Sequence, residues 1–269
     1  YDVKDTQERP SIAVDGKGRI YLAWASQTSD ADKKLLLATS DNQGESFNAA
    51  KEVIKSGIFK AVSQMKGKTI SRDVRMTPHV IAGKDEIFLA WTEALPDLSG
   101  VRMVVSSSKD GGEIFGGPTP VHQGENARAT FTSLSLGLDG TMVSSWLDNR
   151  DKKQKVFASV KGPSAVKFTL EETVAAGDLE KGVCPCCPTS TLVALDGTVY
   201  VAFRNINDGY RDFYISRRKP GASSFETPIS VISPTWKFDG CPHDGASMVL
   251  AGDTFHITWM DARSGSQRC

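Results

Sequence analysis

The chain has 269 residues, 39% hydrophobic and 24% charged, enough to bury a sizeable core in one large domain or two small ones. Its 32 basic side chains balance 32 acidic ones, and a formal net charge of zero argues against a general nucleic-acid or acidic-membrane surface. No run of 18 apolar residues occurs, so neither a transmembrane helix nor a membrane span is expected.

Taken in chain order, short apolar runs ending in a large aromatic recur. They are Ile20–Trp24, Ile87–Trp91, Thr141–Trp146, Val199–Phe203 and Phe255–Trp259, with closing aromatics 67, 55, 57 and 56 residues apart. The one long interval holds extra residues around Lys55–Arg75. Each run follows a turn signal: Asp15 to Gly18, Gly83 to Asp85, Asp139-Gly140, Asp196-Gly197 and Gly252-Asp253. Another short apolar stretch precedes each turn, such as Ser11–Val14 or Thr191–Ala194, which is the pattern of a β-hairpin. A third strand follows each aromatic (Leu35–Thr39, Asp212–Ser216), and then a short fourth (Glu52–Ile54). Four strands per unit at a period near 55 residues predict an all-β propeller of antiparallel blades. The expected blades cover residues 9–54, 76–122, 129–174, 184–231 and, in part, 241–269, within a single domain.

The turn between third and fourth strands carries a narrower pattern. Ser40, Asn42, Gly44 and Phe47 share a frame with Ser108, Asp110, Gly112 and Phe115. A short carboxylate or amide caps backbone N–H groups there, glycine takes a positive φ, and the phenylalanine is expected to plug the gap between strands. Degenerate copies run from Ser159 to Phe168 and from Ser216 to Phe225. The frame resembles the Asp-box, or BNR, repeat of sialidases and sialidase-like propellers. The resemblance implies six blades in the full protein and a chain incomplete at its C-terminus. The alternative is a five-bladed ring closed by an N-terminal strand at Asp2–Thr6.

Sialidases grip a carboxylate with three arginines and use a Tyr/Glu pair and an Asp as acid/base. Glu8-Arg9-Pro10 is similar to the family's Arg-Ile-Pro motif but one residue short. The resemblance therefore offers Arg9, Asp73, Arg204 and Tyr210 as catalytic candidates, yet no arrangement reproduces the Tyr/Glu pair. Arg72, Arg211, Asp212 and Trp236 are candidates to face a ligand, Trp236 either stacking on a sugar or packing between blades. Asp148 with Arg150 and Asp261 with Arg263 repeat one spacing behind a blade tryptophan and are read as architectural. His122 is expected to be exposed, and His256 to be a satisfied core or interface histidine.

Four of the five cysteines lie in two segments. Cys184-Pro-Cys186-Cys187 precedes the first strand of the fourth unit, and Gly240-Cys241-Pro242-His243 precedes that of the fifth. First strands of propeller blades line the central channel, so these entrances converge. Three readings stay open: a disulfide from Cys241 to one of the others, a copper or zinc site of thiolates with His243, His79 or both, and a redox pair at Cys184 and Cys187. The odd count leaves at least one cysteine unpaired, and the clustering favours an oxidising, extracytoplasmic compartment. The stretch from Val183 to Gly245, with Asn205 and Tyr210-Arg211-Asp212 between, resembles a group of exported bacterial sialidase-like proteins.

These features support a non-catalytic binding protein with a protein or glycan ligand. The alternatives are an exo-sialidase and a Cys/His metal protein.

Overall fold

The computed structural model describes residues 6–27, 32–65, 67–124, 127–150, 153–175, 182–233, 235–252, 254–263 and 265. It groups the chain into two compact units, 1–121 and 122–269. All regular structure among the described residues is β-strand, and no helix is long and apolar enough to cross a membrane.

In the first unit, β1 (Thr6–Val14), β2 (Ile20–Gln27), β3 (Lys33–Ser40) and β4 (Lys51–Ser56) form one antiparallel four-stranded sheet. The long interval is a separate hairpin of β5 (Lys60–Met65) and β6 (Lys68–Asp73). A second four-stranded sheet follows, of β7 (His79–Ala82), β8 (Ile87–Ala94), β9 (Val101–Ser108) and β10 (Thr119–Pro120). Tyr21, Leu35, Leu37, Met76, Leu89 and Trp91 fill the core between these sheets.

The second unit repeats the plan. One sheet holds β11 (Thr130–Leu136), β12 (Met142–Asp148), β13 (Lys155–Lys161) and β14 (Thr169–Thr173). The next holds β15 (Ser190–Val193), β16 (Val199–Arg204), β17 (Phe213–Arg218) and β18 (Ile229–Ser230), with β15 one residue from the expected stretch at Thr191–Ala194. A hairpin of β19 (Ser247–Ala251) and β20 (Thr254–Thr258) closes the series. Every residue of β12 is buried, as a strand covered on both faces must be, whereas β20 alternates half-buried and exposed. Val143, Leu147, Val201, Phe203 and Phe225 belong to this unit's core.

Neighbouring sheets meet first strand to first strand. A first strand is a sheet edge, and its outward N–H groups need partners. Serine hydroxyls supply them: Ser11 accepts from the Val80 N–H at 3.0 Å, Ser133 from Thr191 at 3.0 Å and Ser135 from Val193 at 3.1 Å. Two residues before Ser11 and Ser133 the strands bulge, with Arg9 at φ 49° and Phe131 at φ 51°.

The capped turns form as their residues dictate. The Ser40 hydroxyl accepts from the Gly44 N–H, and the Asn42 side chain accepts from that of Ser46. Ser108 accepts from Gly112, while Asp110 accepts from Glu113 and Ile114. Gly44 and Gly112 sit at φ 90° and 87°. Phe115 packs against the core, but Phe47 is 41% exposed and plugs no gap. Two histidine expectations also fail. His122 is half-buried with its ring against Trp146, and His256 is exposed on β20. Thr6 belongs to β1, and the rest of the proposed N-terminal closing strand lies outside the described residues.

Candidate metal centre

Three loops of the second unit build the site. The connection from β14 to β15 carries Cys184–Cys187, and two backbone bonds tie it to the end of β16: Cys184 N–H to Arg204 C=O at 2.9 Å, and Ile206 N–H to Gly182 C=O at 3.1 Å. The connection from β18 to β19 carries Trp236–Gly245 and is tied to the β16–β17 loop. There the Arg211 N–H donates to Trp236 C=O at 2.7 Å and the Phe238 N–H to Gly209 C=O at 3.1 Å. Gly245 lies so close to the first segment that a Cβ there would stand 2.9 Å from the Pro188 carbonyl oxygen. Both cysteine segments are thus anchored to one strand end.

Cys184, Cys186 and Cys187 are buried together, with Ile206 and Cys241 against them. Their Sγ atoms lie 3.4 Å (184 to 186), 3.5 Å (184 to 187) and 3.9 Å (186 to 187) apart. Cys186 also joins Cys241 and His243 in a second triad, whose ligand atoms all fall within 4.8 Å of one another. Cys184, Cys186, Cys187 and Cys241 are all free thiols in the structure. An S–S bond measures about 2.0 Å, and the three packed sulfurs are spaced as hydrogen-bonded thiols or as ligands of one ion. The convergence expected of the two segments is present, with Cys241 packed against Cys184, Cys186 and Cys187.

Electrostatics favour a thiolate at Cys184. Hydrogen bonds from Cys186 and Cys187 lower its pKa most, with smaller help from the Cys186 N–H and the charge of Arg211. Hydrogen bonding to Cys184 pushes Cys186 and Cys187 up, since they keep the protons. The Arg211 guanidinium reaches the Cys184 sulfur at 3.4 Å. Arg204 is fully buried and donates to the carbonyls of Arg211 and Met260. It stacks 4.2 Å from the Phe213 ring centre and lies 3.5 Å from Asp244.

The other candidates scatter. His79 opens β7 in the first unit and belongs to neither thiol group. Arg204 is enclosed, its guanidinium turned to the carbonyls of Arg211 and Met260. Asp212 is buried, accepting from the Trp236 N–H at 2.8 Å, and Trp236 is itself buried against Phe238. The loop folds back over both and encloses them. Tyr210 is 37% exposed, with the Lys237 ammonium over its ring. Arg9, Asp73 and the exposed Arg72 lie in the first unit. Arg9 sits at the β1 bulge, its pKa lowered by burial and by Arg75.

Behind the aromatic of three blades stands a carboxylate that accepts the indole N–H and pairs an arginine: Trp91 with Glu93 and Arg102, Trp146 with Asp148 and Arg150, Trp259 with Asp261 and Arg263. The fourth blade has Phe203-Arg204-Asn205 instead. The first blade lacks the clamp too, its Trp24 indole donating to the Gln7 side-chain oxygen at 2.6 Å.

Among solved structures, the chain is similar to a Dyadobacter fermentans protein of unknown function, with TM-score 0.61 and 16% identity over 97% of this chain and 76% of that one. It is similar to a Penicillium chrysogenum α-L-arabinanase complexed with arabinobiose, with TM-score 0.60 and 12% identity over 91% and 69%. A Hadza microbial sialidase gives TM-score 0.55 and 16% identity over 90% and 48%. Identities this low speak to fold alone, and the fold is a sialidase-like β-propeller of four-stranded antiparallel blades. No protein-family model matches the chain, and none of the curated proteins does.

Proposed function

We propose that this propeller is a non-catalytic binding protein whose second unit carries a soft-metal centre, copper(I) or zinc on cysteine thiolates with His243 beside them. The observation that carries this reading is the packing of three buried sulfurs 3.4–3.9 Å apart. Two sulfurs on one ion, each at about 2.3 Å, lie roughly 3.8 Å apart in a tetrahedron and 4.0 Å apart in a trigonal plane. Thiolate and imidazole donors select soft or borderline ions over magnesium or calcium. A bound ion would also keep the thiols reduced in the extracytoplasmic setting that the cysteine usage suggests.

A second reading, glycan recognition, draws support from neighbours solved with arabinobiose or named sialidase and from the exposed ring of Tyr210. Sialidase-type hydrolysis has less behind it. The Tyr21 hydroxyl is spent on Asp15, Tyr200 packs on Phe255, and Tyr214 stacks on Phe203.

Metal analysis of protein purified without chelator tests the proposal. Copper or zinc should copurify with the chain, and Cys184→Ser and Cys241→Ser should each deplete it. Metal-free protein that also fails to take up either ion when reduced would refute it.

A further inference from the structure

We infer that the centre is binuclear: one ion on Cys184, Cys186 and Cys187, a second on Cys186, Cys241 and His243, with the Cys186 thiolate bridging the two. The inference rests on the metal-binding reading above and adds its stoichiometry and its key ligand.

Three observations carry it. The ligand atoms fall into two triads of mutual reach, and the triads share one residue, Cys186. A thiolate has lone pairs enough to bind two ions, so sharing needs no further donor. The triads also differ in setting. The first is buried throughout, whereas the second runs from buried Cys186 through half-buried Cys241 to exposed His243. One ion would sit closed off and the other at the rim, where ions can enter.

The third observation is charge. Four thiolates with two copper(I) ions leave two negative charges, and the Arg211 guanidinium stands 3.4 Å from the Cys184 sulfur to offset one of them. Two zinc(II) ions would neutralise the thiolates alone and leave Arg211 uncompensated. Arg211 therefore fits a pair of monovalent ions. Loading displaces protons from the thiols, so it releases acid as it proceeds.

The test is an anaerobic copper(I) titration of the reduced full chain against bicinchoninate. The expected saturation is two ions per chain, with the second exchanging faster. His243→Ala, an exposed position, should halve the stoichiometry, and Cys186→Ser should lower both affinities at least tenfold. Saturation at one ion, unchanged in His243→Ala, would overturn the binuclear inference and leave the metal-binding reading standing. No binding at all would overturn both. If Cys186→Ser unfolds, copper X-ray absorption on the wild type decides. A Cu–Cu scattering shell that disappears in His243→Ala supports the bridge, and its absence at full loading refutes it.

Discussion

Asp148 shows how single residues hold a blade. Its buried carboxylate accepts from the Trp146 indole at 3.2 Å, the Arg128 N–H at 3.2 Å and the Arg150 N–H and guanidinium at 2.6–2.9 Å. Arg150 also pairs with Glu171 and stacks on Phe157. Removing one partner of a buried pair strands the other, so Asp148→Ala should cost about 3–5 kcal/mol in a urea-unfolding measurement. The more exposed pair Arg19 with Asp41 is expected to contribute less than about 1 kcal/mol. His122 makes a different prediction. Burial lowers its pKa, opposed by Glu171 and aided by Arg150. The unfolded chain takes up a proton near pH 6.5 while the folded chain resists, so acidification below that point destabilises the fold until the folded pKa is reached. The loss is at most about 1.4 kcal/mol per pH unit, and His122→Asn should remove it from unfolding midpoints compared at pH 7.5 and 5.5. At this scale the Asp148/Arg150 and Asp261/Arg263 pairs were legible from spacing alone. The burial of Arg204 and Asp212 was not, because long-range contacts decide whether a loop residue points outward.

Turns and loops act at the next scale. Gly112 holds φ 87°, and a Cβ there would meet Leu37 Cδ2 at 3.1 Å. Gly112→Ala should therefore destabilise by about 1–2 kcal/mol, read as a shift in urea midpoint with unchanged slope. Gly245 does a different job. Its close approach to the Pro188 carbonyl seats the Cys241–His243 loop against the first cysteine segment. Gly245→Ala should push that loop away and weaken metal uptake at His243 while leaving far-ultraviolet circular dichroism unchanged. Hairpin turns and capped turns were readable because local residues determine them: Gly18, Gly140 and Gly197 all take φ 82–85°. The first strand of the fourth blade was readable to within a residue, Thr191–Ala194 against β15 at Ser190–Val193, whereas the backbone bonds that tie Cys184 and Gly182 to the end of β16 join distant parts of the chain and leave no local signal.

For the whole molecule, repeat spacing was sufficient to read a propeller, because each blade buries its apolar face only against a neighbour. It could not supply chemistry, which depends on which loops meet. The first-unit cations illustrate this. Arg9, Lys33 and Arg75 share a neighbourhood with Glu8 and Asp73, three cations against two carboxylates, and burial lowers the pKa of both Arg9 and Lys33. With Tyr21, Tyr200 and Tyr214 engaged elsewhere, we expect no release of fluorophore from a sialoside or arabinofuranoside. Turnover abolished by Arg9→Ala would reverse that expectation. The central claim is that the cysteines serve a metal and not a disulfide, and peptide mapping of the copper-loaded chain with a thiol-blocking reagent tests it most directly. Cys184, Cys186, Cys187 and Cys241 should all be reduced, shielded from alkylation when loaded and reactive once copper is stripped. A Cys241 disulfide to any of the other three, in protein isolated without reductant and unable to bind copper, would contradict it.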